Sequence, residues 1–168
     1  GMALIGDMLW FIGPEYKLYQ LQLSTGEIFP ISLWNGVPWS SFSIGDLDKD
    51  GNEDLVISGG KGIYLPDGDT EQAQVFRAEE PSRFLRDTAV LDADHDGLLD
   101  LASARSGGGD WSIFQPSLFY QRDGGWEEQP IAGDERSWGH SFDIATLDIN
   151  NDTLPDAYIC NDMGTQFA

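Results

Sequence analysis

Apolar and polar positions alternate along this chain in short runs, separated by Gly, Asn, Asp and Pro, which is the pattern of β-strands joined by turns. Tyr16 to Leu23 (YKLYQLQL) predicts a strand, Ser24-Thr25-Gly26 a turn, and Glu27 to Leu33 a further strand. Asn35-Gly36 marks another turn. Trp39 to Gly45 and Leu55 to Ser58 predict two strands, with Phe42 and Ile44 alternating in the first and Leu55 and Ile57 in the second. Gly62 to Leu65 and Gln72 to Arg77 follow as strands around a turn at Pro66-Asp67-Gly68. Glu79 to Arg86 reads as irregular, with room for one helical turn. Thr88 to Leu91 and Leu101 to Ala104 are strands, and Ser106 to Asp110 is a Gly-rich loop. Ile113 to Gln121 and Trp126 to Ile131 pair as a hairpin across Arg122-Asp123-Gly124-Gly125. Gly139 to Leu147 and Ala157 to Cys160 are the last two predicted strands.

The segment that joins the strands at 39–45 and 55–58 returns twice. Asp46 to Asp54 reads DLDKDGNED, Asp92 to Asp100 reads DADHDGLLD, and Asp148 to Asp156 reads DINNDTLPD. Each copy places a carboxylate or amide at positions 1, 3, 5 and 9, and each is followed by a short apolar run (LVIS, LASA, AYIC). The copies recur at 46 and then 56 residues, and the Gly-rich loop and the longer strand at 111–121 take up the wider interval. Asp7 to Gly13 (DMLWFIG) aligns with Asp54 to Gly60, so the chain reads as opening just after a further Asp-rich loop. The repeated unit is four short strands with the acidic loop between the first two, a propeller signature. The expected fold is all-β: β-propeller blades of four antiparallel strands, about three of them in a single domain over residues 1–168. Propellers close with four to eight blades. The chain therefore reads as part of a six- to eight-bladed ring or as a partial propeller. Its open blade edges would invite self-association.

Oxygen donors at positions 1, 3 and 5 of a tight loop can converge on one point. Position 7 can add a backbone carbonyl, and Asp at position 9 closes the shell. A hard cation that takes six to eight oxygens fits such a cage, so calcium is the first candidate and magnesium, with its stricter geometry, the second. Nothing offers the clustered Cys or His that zinc or copper would need. An EF-hand would put Glu at position 12 and helices on both sides. Position 12 here is Ile57, Ser103 and Ile159, the flanks alternate as strands, and the EF-hand is rejected. A plain Asp- and Gly-rich turn is the bland alternative, and three copies in one register argue against it. Thr153 stands where Gly51 and Gly97 stand, at a position where the sharp turn favours glycine. With Asn150 in place of an Asp as well, the third loop is expected to be the weakest site.

Composition narrows the function. Lys plus Arg number 9 against 29 Asp plus Glu, a net charge of −20. The three loops hold five, four and three of these acids in turn. Three divalent ions would add six positive charges and bring −20 to −14. Such a surface repels nucleic acid and anionic membrane. A hydrophobic content of 40% with frequent aromatics sets the chain apart from a disordered acidic tail. The single cysteine, Cys160, aligns with Ser58 and Ala104 and reads as a small buried strand residue. No apolar run reaches the length of a membrane span. Gly1 before Met2 reads as a cloning remnant, so the chain is expected to be cut from a longer one.

The segment FSIGDLDKDGNEDLVISGG resembles the FG-GAP/VCBS repeat of integrin-α-like β-propellers. The last repeat, WGHSFDIATLDINNDTLPDAYICNDMG, looks most like the FG-GAP repeats beside bacterial ASPIC/UnbV domains. The motifs cover about a third of the chain, and their strand layout nearly all of it. The resemblance implies one calcium ion per acidic hairpin, up to three in all. By position, Asp46, Asp48, Asp50, the Asn52 carbonyl and Asp54 would hold the first ion. Asp92, Asp94, Asp96, the Leu98 carbonyl and Asp100 would hold the second, and Asp148, Asn150, Asp152, the Leu154 carbonyl and Asp156 the third. It also implies an extracellular binding or scaffold module for a protein or glycan ligand, set outside the cell, in the periplasm or at the cell surface. Extracellular modules bind calcium with Kd of about 10⁻⁴–10⁻³ M. At about 1 mM calcium each filled site then adds on the order of 0.4–1.4 kcal/mol.

For a glycan ligand, Trp34, Trp39, Trp111 and Trp138 are candidate stacking platforms, with blade packing as their plainer role. The rival class is an enzyme, such as the propeller part of a polysaccharide lyase. That would need a positioned acid and base. The only histidines are His95, inside the second loop, and His140. No nucleophile elbow, zinc motif or phosphate loop is present. The reading is therefore of a non-enzyme. The third reading is a repeat unit of a longer extracellular protein with no ligand site of its own.

Overall fold

Each predicted run becomes a strand, and consecutive strands pair. The computed structural model describes residues 1–31, 39–60, 62–67, 70–77, 83–107, 115–131 and 141–161. Within them, fourteen strands form four antiparallel sheets in which sequence neighbours are always spatial neighbours. The first sheet holds β1 (Met2–Ile5), β2 (Met8–Ile12), β3 (Leu18–Gln22) and β4 (Glu27–Ile31). The second holds β5 (Trp39–Gly45), β6 (Asp54–Gly59), β7 (Gly62–Asp67) and β8 (Thr70–Arg77). The third holds β9 (Arg83–Leu91), β10 (Asp100–Gly107), β11 (Ser117–Arg122) and β12 (Gly125–Pro130). The fourth is a hairpin of β13 (Ser141–Leu147) and β14 (Asp156–Asn161). Among the described residues the sheets are not closed.

Several boundaries differ from the sequence reading: Tyr16 lies in a 3₁₀ turn rather than a strand, Pro66 and Asp67 belong to β7, and Ser106 and Gly107 belong to β10. Arg83 to Arg86 are strand, not an irregular turn, because β9 must be long enough to pair with all of β10 as far as Gly107. The opening segment is a complete four-stranded sheet: β1 precedes Asp7, and a tight turn at Gly6-Asp7 replaces an acidic loop. Asp7 nonetheless behaves as position 9 does elsewhere. Its carboxylate accepts the Ser24 backbone N–H at 3.1 Å, just as Asp100 accepts that of Gln121 at 2.9 Å. A single 3₁₀ turn, Pro14–Tyr16, precedes β3.

The three acidic hairpins share one register. The residue before each loop pairs with position 9: Gly45 with Asp54, Leu91 with Asp100, and Leu147 with Asp156. Each hairpin also slips register six residues before its loop, at 40, 86 and 142. A bulge recurring at one repeat position is a built feature that bends the strand.

The sheets pack face to face, and one hydrophobic cluster fills each interface. Between the first and second sheets lie Leu18, Leu55, Ile57 and Tyr64, with Ala3, Ile5, Trp10 and Phe42 against them. Between the second and third lie Leu47, Val56, Ile63, Leu85, Leu101 and Phe119. Between the third and the last hairpin lie Ala89, Leu91, Ala102, Ala104 and Ile144. Adjacent residues of β6 therefore face opposite cores: Leu55 and Ile57 one way, Val56 the other. This is why the run after each loop is continuously apolar rather than alternating.

The first strands of successive sheets lie side by side, β1 against β5, β5 against β9 and β9 against β13. Polar links stitch them: Ser43 Oγ donates to the Thr88 carbonyl, and the Ile144 N–H donates to Asp87 Oδ2 at 3.0 Å. The outer face of the first sheet leaves Met2, Leu4 and Ile28 exposed, and the last hairpin leaves Leu147 and Tyr158 exposed. Cys160 is likewise exposed. That corrects the expectation of a buried residue there: the equivalent Ser58 and Ala104 are covered on both sides, whereas β14 has no following sheet among the described residues.

Candidate metal centre

All three acidic loops fold by the same four hydrogen bonds, each from a backbone N–H to a loop side chain. The position 2 N–H donates to the position 9 carboxylate: Leu47 to Asp54 at 2.8 Å, Ala93 to Asp100 at 2.9 Å, Ile149 to Asp156 at 2.9 Å. Position 5 donates to position 3 (Asp50 to Asp48, Asp96 to Asp94, Asp152 to Asn150). Position 6 donates to position 1 (Gly51 to Asp46, Gly97 to Asp92, Thr153 to Asp148). Position 7 donates to position 5 (Asn52 to Asp50, Leu98 to Asp96, Leu154 to Asp152). The Asp and Asn side chains thus fix the turn by local capping. The backbone takes a left-handed φ at position 4 (Lys49 61°, His95 62°, Asn151 60°) and at position 6 (Gly51 90°, Gly97 84°, Thr153 73°). Glycine suits position 6 because it has no Cβ to clash there, and Thr153 pays the strain of a β-branched residue in that region.

This folding gathers carboxylates. Asp46, Asp48 and Asp54 offer oxygens that all lie within 4.8 Å of one another, and so do Asp92, Asp94 and Asp100. These two clusters, at positions 1, 3 and 9, can hold a metal ion. Asp50 and Asp96 stand outside the triads and accept the position 7 N–H. The third loop forms no such triad among the described residues, since Asn150 replaces the middle carboxylate.

The chemistry of the donors fits a hard cation. Asp46 Oδ1 and Asp92 Oδ1 are both buried and have no hydrogen-bond partner among the described residues. A buried carboxylate oxygen without a partner is costly, and a bound cation would satisfy it. In the third loop the equivalent oxygen, Asp148 Oδ1, accepts the Asp152 N–H at 3.0 Å, and the Asn150 amide donates to Asp152 Oδ2 at 3.0 Å. That loop satisfies itself.

The loops are anchored to different degrees. Asp100 is fully buried, takes a backbone N–H on each oxygen, and is pushed up from the usual carboxylate range mainly by burial. Leu47 at position 2 is buried in the core between the second and third sheets. The second loop is also pinned by Leu99, which packs near Gly45 of the preceding sheet. Ile149 and Leu154 of the third loop are exposed. The first two loops are neighbours: Lys49 Nζ reaches the vicinity of Gly97. A small cavity of about 220 Å³ beside the first loop is lined by Asp48, Asp54, Gln121 and Trp126 among others.

Arg122 stands over the second loop. Its guanidinium meets Asp94 Oδ2 at 2.6 Å and Asp96 Oδ2 at 3.2 Å. Desolvation pushes Asp94 upward, but hydrogen bonds from Arg122 and the Asp96 N–H outweigh it and hold the carboxyl below its usual value. The Asp94 hydrogen bond in turn raises Arg122.

Sequence reading also passed over Asp87. It sits one residue past the bulge in β9, at the repeat position of Ser41 and Asp143. Burial first, and then a hydrogen bond with Asp143, push it up to about 6. The available signal was that Asp87 and Asp143 both stand five residues before an acidic loop. Of the other singled-out residues, His95 is exposed at position 4 of its loop and Trp39 opens β5. Trp34, Trp111, Trp138 and His140 lie outside the described residues.

Fold and site together define a class: an all-β chain of repeated antiparallel sheets with acidic, metal-competent loops at one repeat position. Comparison with protein-family models, with curated proteins and with solved structures finds no match for the chain. Among the described residues no helix is long and apolar enough to cross a membrane.

Proposed function

We propose that the chain is a calcium-binding β-propeller module of the FG-GAP/VCBS type, acting outside the cell as a binding or scaffold domain. The observation that carries the reading is the pair of buried, unpartnered oxygens, Asp46 Oδ1 and Asp92 Oδ1, each inside a triad of converging carboxylates. Side-by-side packing of the first strands supports the propeller arrangement, with further sheets or a second copy on the bare outer faces. Calcium is favoured over magnesium because the donors are carboxylates in an adaptable loop rather than a strict octahedron. Its role is structural: it neutralises the loop and ties the first two strands of a sheet.

Thermal unfolding in millimolar calcium and again in EDTA tests this. Two filled sites raise the midpoint by several degrees, about 2–10 °C for a domain of this size. An unchanged midpoint would reduce the loops to turns and remove the calcium from the reading.

A further inference from the structure

The inference rests on the calcium reading and concerns what separates the first loop from the second. Their triads carry the same donors at positions 1, 3 and 9. Their surroundings differ. Among the described residues, no Lys or Arg lies within ion-pair distance of Asp46, Asp48, Asp50 or Asp54. At the second loop Arg122 takes the position 3 carboxylate at 2.6 Å and the position 5 carboxylate at 3.2 Å.

This is not a loose surface pair. Arg122 lies at the turn end of the β11–β12 hairpin, paired with Gly125. The preceding residue, Gln121, donates its backbone N–H to the buried Asp100 of the same loop. Loop and hairpin are therefore locked together at position 9, and the guanidinium reaches the triad from a fixed base. The guanidinium carbon lies 4.7 Å from the Tyr120 ring centroid, and Glu127 Oε2 lies 3.6 Å from Arg122 Nε. Both contacts offer the side chain a place to stay when it releases Asp94.

We propose that Arg122 is a tethered counter-cation of the second loop, which competes with a divalent ion for Asp94. A guanidinium on Asp94 Oδ2 repels a divalent ion drawn to the same carboxylate, so each weakens the hold of the other. The second loop therefore holds its shape without the ion and binds it more weakly. Among the described residues the first loop has no such substitute, so it fills first and depends on the ion more.

Calorimetric titration of the full chain with calcium chloride tests this. An Asp46→Asn/Asp48→Asn background silences the first loop, so the tightest remaining transition reads the second. On that background Arg122→Gln is expected to tighten calcium binding about fivefold, the upper end for a part-exposed pair. Arg122→Lys, which keeps the charge, is expected to change it by less than half as much on a logarithmic scale. On an Asp92→Asn/Asp94→Asn background, Arg122→Gln leaves the first loop unchanged. If both loops bind calcium but Arg122→Gln leaves the second loop unchanged or weaker, the competition is overturned and the calcium reading stands. If neither loop binds calcium on any background, the calcium reading itself falls and this inference with it.

Discussion

The second and third acidic loops share a register, a hydrogen-bond ladder and two left-handed positions, yet they sit in opposite surroundings. The second is flanked by Leu91 and Leu101, at 6% and 0% exposure, and closes on a fully buried Asp100. The third is flanked by Leu147 at 52%, with Ile149 at 56%. The difference teaches that the nine residues encode the turn by themselves, through Asp and Asn capping, while neighbouring strands and sheets bury and anchor it. It also separates two ways to settle a crowded acidic loop. The third uses internal hydrogen bonds through Asn150 and Asp148, and the second leaves Asp92 Oδ1 unpartnered for a cation.

The strongest way to break the comparison is at position 9. Asp100→Ala strips two backbone N–H groups of their acceptor, each worth about 1–3 kcal/mol when buried. The expected loss is about 2–5 kcal/mol by urea unfolding in EDTA. Asp156→Ala loses one bond at a looser site and should cost about 1 kcal/mol. Equal losses would mean that burial of the loop adds nothing.

Position 6 sharpens the contrast next. Gly97→Thr places a β-branched residue at φ 84° and should cost about 1–3 kcal/mol. The reverse change, Thr153→Gly, should relieve strain and stabilise by about 1 kcal/mol. A destabilising Thr153→Gly would show that the threonine makes up for its backbone in a way this account lacks.

A smaller effect lies at the seam between these regions. Asp87 is pushed up to about 6 by burial and by its hydrogen bond with Asp143, against about 3.9 in an unfolded chain. Between these values the folded state binds more protons, so stability falls as pH rises from about 4 through 6. Asp87→Asn should flatten that slope in EDTA while keeping an acceptor for the Ile144 N–H. A slope identical to that of the parent chain would remove Asp87 from the seam's pH response.

Much of this was legible in the residues. The 1-3-5-9 spacing located the loops, because side-chain oxygens that cap a tight turn must recur at fixed offsets. The apolar runs after them located β6, β10 and β14. Gly against Thr at position 6 revealed the left-handed φ. What the sequence hid is long-range. β1 went unread because its loop is shortened to Gly6-Asp7, which leaves no acidic signal. The absence of Asp50 and Asp96 from the triads depends on which way each side chain turns. Arg122 belongs to the second loop only through hairpin pairing 22 residues further on, and Asp87 meets Ile144 only when two sheets pack. Cys160 is exposed for the same reason that Ile149 is: repeat position predicts burial only where a following sheet covers the hairpin.

The most direct test of the central claim is a count of calcium ions per chain by native mass spectrometry across a calcium titration. The account predicts two retained ions, lost on Asp46→Asn/Asp48→Asn and Asp92→Asn/Asp94→Asn respectively, with a third adding only at the highest concentrations. A chain that retains no calcium, or whose first retained ion survives both double substitutions, would contradict it.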